Sequence, residues 1–186
     1  MPFFASARER RLWLWTALVL VAIYSTLGLA GTFARYLSEH ERGGLGVVFL
    51  SLLVGALAGG VWVSRSPGRR EVGVAIGVAS TYLAALLRMG GPAAERTHLF
   101  EYGVVALLIH QALSERARQG RSVPAPALLA VLAGALLGWL DEGIQWLLPN
   151  RVYELQDVAF NALAALLAVA SSLALGRARR RDQAAE

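Results

Sequence analysis

Side chains able to do chemistry gather at three places in the second half of the sequence. The first is a run from Glu95 to Tyr102, in which His98, Glu101 and Tyr102 are spaced i, i+3, i+4. That spacing places the three side chains on one face of a helix. The chain has no Cys, so thiolate chemistry and disulfides are excluded. Any reaction must therefore use carboxylates, His, Tyr, amides or Arg.

The second and third groups flank a short break in the apolar sequence. Glu142 and Gln145 precede Pro149, while Asp157 and Asn161 follow it, each pair at helical spacing. Only four residues, Pro149 to Val152, separate the two segments, which predicts a tight antiparallel helical hairpin. Counting from the turn, Glu142 and Asp157 lie level, roughly 10 Å below it. The same count places Asn161 level with the glycine at position 138.

The elements that position these groups are long apolar segments. Hydrophobic residues make up 56 % of the 186-residue chain and charged residues only 17 %, against roughly 25 % in ordinary globular domains. A bilayer core of ~30 Å needs roughly 20 helical residues per crossing. The sequence therefore predicts an all-α polytopic transmembrane bundle with six spans, at about residues 12–30, 45–63, 72–88, 97–113, 125–148 and 153–175.

The arginines orient this bundle. All eighteen cations are Arg, and thirteen of them lie on one predicted side, in segments 8–11, 65–70, 116–121 and 177–181. By the positive-inside rule both termini are cytoplasmic, and the three polar groups lie toward the outer face. Membrane orientation and contact with anionic lipids explain the positions of these arginines, so no nucleic-acid partner is expected. Cleavage of the first span as a signal peptide after Ala30 is an alternative.

Ionisable groups at membrane depth are costly, and their default reading is functional. Two level carboxylates cannot both stay charged without a cation, a shared proton or water. If the site is catalytic, Glu142 or Asp157 is the candidate general base, with His98 as the acid or as an orienting group. The expected ligand-binding residues are Arg96, Glu101, Tyr102, Gln145, Arg151 and Asn161.

A divalent metal is an alternative for the same place. Its ligands would be His98, Glu101, Glu142 and Asp157, an N/O set suited to Zn²⁺, Mn²⁺ or Mg²⁺. No HEXXH or comparable ligand spacing supports it.

The three groups together resemble the signature of the VanZ-like family, named for a teicoplanin-resistance protein. The resemblance is carried by residues 95–103 (ERTHLFEYG), by residues 141–151 (DEGIQWLLPNR) and by residues 157–161 (DVAFN). It covers about residues 93–170. The family often has Lys in place of Arg96, and Gly in place of Asn150 and Ala164. The first two departures preserve charge and turn preference, and the third suggests looser packing after Asn161.

The resemblance implies a bacterial cytoplasmic-membrane protein, in some members linked to reduced sensitivity to cell-wall antibiotics, without a settled activity. On this basis we divide the chain into a three-span apolar scaffold (1–92), a VanZ-like region with an outward pocket (93–175) and a basic cytoplasmic tail (176–186).

Three functions remain open. The outer pocket binds or processes an envelope lipid or a lipid-linked cell-wall intermediate, which would enter from the membrane. Alternatively, the carboxylates serve a proton- or ion-coupled transporter, although the inner halves of the spans look almost wholly apolar. In a third reading the chain is a non-catalytic structural partner, and the polar groups only lock helices together. The sequence leaves the oligomeric state open.

Overall fold

The computed structural model describes residues 3–40, 68–88, 98–148 and 153–185, with backbone alone at 26, 28–40 and 98. These residues form five helices: α1 (Ala7–His40), α2 (Arg69–Arg88), α3 (His98–Arg118), α4 (Pro126–Trp146) and α5 (Leu155–Gln183). No strand occurs in these ranges. The predicted all-α class is thus confirmed for this part of the chain. The predicted span 45–63 lies outside the described residues.

Among the described residues, three helices are long and apolar enough to cross a membrane: α2, α4 and α5. By length and composition they mark the chain as a membrane protein. Helix α4 also has the side-chain distribution of a lipid-facing helix. It exposes large apolar residues such as Leu132, Leu136 and Trp139, while its buried positions include Gly134 and Gly138. Such an arrangement is typical of a helix whose exposed face meets lipid.

The helix boundaries differ from the predicted spans because capping groups set them. Helix α3 ends in a Schellman motif: Gly120, at φ +79°, donates to the Ala117 carbonyl, and Arg121 donates to that of Arg116. Pro126 then opens α4 as its first residue. Helix α5 continues to Gln183, well beyond the predicted end at 175, so the segment predicted as a basic tail is largely helical.

The chain divides into two compact units. The first comprises residues 1–35 and 94–169, and the second comprises residues 36–93 and 170–186. This division differs from the predicted segments 1–92, 93–175 and 176–186. The start of α1 belongs with the second half of the chain, since Glu9 forms an ion pair with Arg116 on α3.

Within the first unit, α3 and α4 pack along each other, and α5 joins them through small residues. A Cβ at Gly134 would lie 2.9 Å from the Ala165 Cβ and 3.2 Å from that of Ala106, so three helices meet there at closest approach. Of the three GxxxG spacings in the sequence, Gly134/Gly138 therefore forms a packing groove. At Gly73 and Gly77 an added Cβ would meet no described atom within 4 Å.

Within the second unit, the start of α2 contacts the end of α5. The Asp182 carboxylate accepts a hydrogen bond from the Glu71 N–H at 3.0 Å, which caps the first turn of α2. The Arg179 guanidinium lies 3.4 Å from the Glu71 carboxylate. A Cβ at Gly68 would collide with Asp182, so only glycine fits there.

Candidate functional site

The last turns of α4 bury polar side chains where an ordinary membrane helix would place apolar ones. Asp141, Glu142 and Gln145 are each at most 1 % exposed. The Gln145 amide donates to the Glu142 carboxylate at 3.1 Å, as their i, i+3 spacing allows. Burying such groups is costly unless they are hydrogen-bonded, so the surrounding helices must hold them together.

Helix α5 meets α4 in an antiparallel register fixed by one glycine. The Asn161 side chain packs on Gly138, where no Cβ would fit, and its Nδ2 donates to the Gly138 carbonyl at 3.2 Å. The contact between Gly134 and Ala165 continues the same register one turn further along. The prediction that Asn161 lies level with position 138 is confirmed.

This register extends toward the hairpin. One turn from Gly138 and Asn161 it places Glu142 and Asp157 at the same level, and Asp157 is only 6 % exposed. The two carboxylates thus belong to facing helices at one depth, each one turn from the Asn161 amide. They are suited to share a proton or to receive a cationic or hydrogen-bond-donating group.

Helices α3 and α1 complete the cluster with tyrosines. Tyr102 is fully buried, and its side chain interacts with the Asp141 carboxylate and with Tyr24 of α1. The Tyr24 hydroxyl donates to the Leu137 carbonyl at 3.1 Å, which ties α1 to α4 at this level. Four helices therefore contribute to one buried polar cluster, which we call the hairpin-end cluster. Its members are Tyr24, Tyr102, Asp141, Glu142, Gln145, Asp157 and Asn161.

The structure describes the predicted site residues unevenly. It brings together Tyr102, Glu142, Gln145, Asp157 and Asn161 within the first unit, all of them buried. Glu101 is half-buried on α3. Arg96, Arg151 and the side chain of His98 lie outside the described residues, so their predicted roles stay predictions.

The predicted metal site also stays a prediction. Across the described ranges, no three His, Asp or Glu side chains are arranged to hold a metal ion. The expected set included His98, whose side chain is not among those described.

Two members of the cluster were given no role from the sequence. Asp141 follows an apolar run and stands next to Glu142, and both side chains are buried. Tyr24 lies within an apolar span, where a tyrosine has no distinctive signal. Its contact with Leu137, 113 residues away, is a tertiary feature without periodicity.

One further polar side chain is buried on α3, outside the cluster. His110 lies two turns along the helix from Tyr102, and its Nδ1 has no hydrogen-bond partner in the described part of the chain. The sequence pattern did carry a signal. His110 lies two turns beyond Tyr102, which puts both on one helical face.

The opposite end of the first unit carries a different kind of polar contact. Ser6 and Glu9 form an S-x-x-E capping arrangement at the start of α1: the Glu9 N–H donates to Ser6 Oγ at 3.0 Å, and the Ala5 N–H donates to the Glu9 carboxylate at 2.6 Å. Arg116 of α3 donates to the same carboxylate at 2.8 Å. This motif was present in the sequence and its pairing with α3 was not predicted.

The electrostatics of this end favour ionised carboxylates. Burial alone would raise the pKa of Glu9, but the hydrogen bonds from Ala5 and Arg116 outweigh it and hold the pKa below its usual range. Hydrogen bonds from Gln119 and Ser6 likewise lower the pKa of Glu115, despite the opposing effect of desolvation. Charges here are matched locally, which is typical of a structural contact.

Comparison with known proteins adds no assignment: no family model, no curated protein and no solved structure matches this chain.

Proposed function

We propose that the hairpin-end cluster binds or processes an envelope lipid or a lipid-linked cell-wall intermediate. The observation that carries the proposal is the α4–α5 register, in which Asn161 packs on Gly138 and sets Glu142 level with Asp157. Seven polar side chains from four helices gather within a few helical turns at the hairpin end of the first unit. Intramembrane groups of this kind mark ligand or proton sites more often than scaffolding.

We further propose the setting in which the cluster works. The chain has six spans with both termini in the cytoplasm of a bacterium, is a VanZ-like protein, and affects sensitivity to glycopeptide antibiotics. The arginine distribution supports this orientation. The helix ends at Glu9 and Arg116 carry several of the thirteen arginines of the cytoplasmic side, whereas the hairpin end faces outward.

The proposed roles follow from the chemistry of each side chain. Arg96 and Arg151 hold a phosphate by charge-assisted hydrogen bonds. In a catalytic version Glu142 or Asp157 acts as general base and His98 as acid. In a version without catalysis the same residues bind a head group. In both versions the carboxylates lie at membrane depth, so that a lipid reaches them laterally from the bilayer.

Isosteric neutralisation tests the proposal. Glu142→Gln and Asp157→Asn remove charge with little change in volume. They are compared with Glu9→Gln, a buried carboxylate at the opposite end of the same unit. We expect the first two to lose co-purified envelope lipid and antibiotic tolerance while remaining folded. Equal losses in all three variants, in step with their thermal stability, would show a structural role instead.

The transporter alternative gains support from one observation, the buried His110 in the half of α3 that leads away from the cluster. A proton path needs titratable groups along the span, and His110 is one. Proton flux into proteoliposomes that disappears in His110→Leu would favour transport over lipid binding.

A further inference from the structure

We infer that the ligand of the hairpin-end cluster presents a primary ammonium group to Asn161 and the carboxylates. This inference rests on the proposed function, in which the cluster binds an envelope lipid, and it names the part of the head group that enters.

The orientation of the Asn161 amide is fixed by chemistry. Its neighbour on α4 is the Gly138 carbonyl oxygen, which can only accept, so the NH₂ arm must face it. The other arm, Oδ1, is therefore a committed acceptor. Asn161 is fully buried, yet Oδ1 has no hydrogen-bond partner among the described residues. Buried polar atoms almost always have a partner, so this oxygen calls for a donor that the described residues do not supply.

The surroundings of Oδ1 determine what kind of donor fits. One turn away lie Glu142 and Asp157, whose ionised forms accept hydrogen bonds and never donate. The Gln145 Nε2, which could donate, is directed to the Glu142 carboxylate. The Tyr24 hydroxyl is directed to the Leu137 carbonyl. These two donors therefore face acceptors within the cluster, and its carboxylates add further acceptors and, when ionised, negative charge.

A primary ammonium matches this lining better than a phosphate or a sugar hydroxyl. It carries three N–H donors and a compact positive charge, enough to contact Asn161 Oδ1 and a carboxylate on each facing helix. A phosphate is an anion and acceptor, and would be repelled by Glu142 and Asp157. A hydroxyl supplies one donor and no charge. A zwitterionic head group would place its ammonium in the cluster and leave its phosphate for cationic groups elsewhere.

Lipid N-methylation isolates this chemistry. Phosphatidylethanolamine and phosphatidylcholine carry the same charges and phosphate, but only the first has N–H donors. We would titrate each into the purified full-length protein and measure binding by native mass spectrometry, with mono- and dimethylated ethanolamine lipids between them. Since each charge-assisted hydrogen bond contributes substantially, we expect phosphatidylethanolamine to bind at least about tenfold more tightly than phosphatidylcholine.

Asn161→Leu, which keeps the number and branching of the side-chain heavy atoms, removes the acceptor and should lower phosphatidylethanolamine binding to the phosphatidylcholine level. Thr16→Val is the control, because Thr16 is also buried and its hydroxyl bonds only to the Leu12 carbonyl on its own helix. If Asn161→Leu does not fold, the methylation series on the unaltered protein still tests the inference. Soluble glycerophosphoethanolamine, which has the same head group without acyl chains, distinguishes the two sources of the ammonium group. If it binds as tightly as phosphatidylethanolamine, the ligand is a free amine; if it binds more weakly, the ligand is a lipid.

The outcomes separate this inference from the proposed function. A preference for N–H donors that Asn161→Leu removes supports it. Equal binding of all four lipids, weakened in Glu142→Gln, overturns the ammonium and leaves lipid binding standing. Binding that neither Glu142→Gln nor Asp157→Asn alters overturns both.

Discussion

Removing the guanidinium of Arg116 is the perturbation whose effect can be worked out most directly. The Glu9 carboxylate has no exposed surface, and Arg116 Nη1 donates to it at 2.8 Å. Arg116→Met keeps most of the aliphatic stem and deletes the charge. It leaves a buried carboxylate that has lost its cation, which in general costs about 3–5 kcal/mol.

Two features of this contact reduce that figure. The Arg116 side chain is 31 % exposed, so water partly replaces it, and the Ala5 N–H still donates to Glu9 at 2.6 Å. We therefore expect Arg116→Met to lower the free energy of unfolding by about 2–3 kcal/mol. Glu9→Gln keeps an acceptor oxygen and should cost about 1–2 kcal/mol. The double variant should cost less than the sum, because both changes remove one shared interaction.

Unfolding by SDS in mixed micelles measures these differences. The matched control is Arg118→Met, two residues along α3, whose guanidinium is 59 % exposed and 3.7 Å from its carboxylate partner. It should leave the transition unchanged. Equal transitions for Arg116→Met and Arg118→Met would refute the assignment of a buried, stabilising ion pair at Glu9.

The same contact has a pH dependence of known sign. The folded pKa of Glu9 lies below its ordinary value of 4.5, so the stability that it provides is complete above that pH. It is lost as the pH falls below 4.5 and through the folded pKa. Glu9→Gln should remove this part of the acid sensitivity. An unchanged acid transition in Glu9→Gln would contradict the lowered pKa.

Two packing predictions follow from positions where the structure leaves no room or supplies a cap. Gly138→Ala should lower the free energy of unfolding by about 1–3 kcal/mol, since the added Cβ collides with Asn161. The control is Gly143→Ala, which should be neutral or slightly stabilising because no atom lies within 4 Å of the added Cβ. Thermal melting of both variants in detergent measures the difference. In the second unit, Asp182→Ala should cost about 1 kcal/mol by uncapping α2, while the exposed Gln183→Ala should not; equal melting temperatures would contradict the cap.

The sequence predicted the α4–α5 contact well, for a physical reason. Pro149 and a four-residue break limit how two long helices can meet, so counting from the turn determines which residues are level. Gly138 opposite Asn161 is the result of that count. The exact ends of the helices were harder to predict, because they depend on capping residues. Gly120 ends α3 before Pro124, and Asp182 caps α2 from more than a hundred residues away.

Contacts between distant segments could not be predicted in the same way. The Ser6-x-x-Glu9 spacing predicts the start of a helix, but it does not indicate that Arg116 forms an ion pair with Glu9. Tyr24 in an apolar run looks like an ordinary aromatic anchor until Leu137 is placed beside it. A period of 3.6 residues predicts which face of a helix a residue lies on. Which distant residue it contacts is determined only by the packing of α1 against α3 and α4.

The two ends of the first unit differ in a way that favours a site over a scaffold. At Glu9 every acceptor is matched by a donor from the chain, and water reaches the rim, as expected of a contact whose purpose is to hold helices. At Asn161 the chain instead commits an acceptor, Oδ1, to a buried position with no described donor for it. A cluster selected only to join helices gains nothing from that oxygen. The Nδ2 arm has a structural partner in the Gly138 carbonyl, so it is the Oδ1 arm that we propose accepts a hydrogen bond from a ligand.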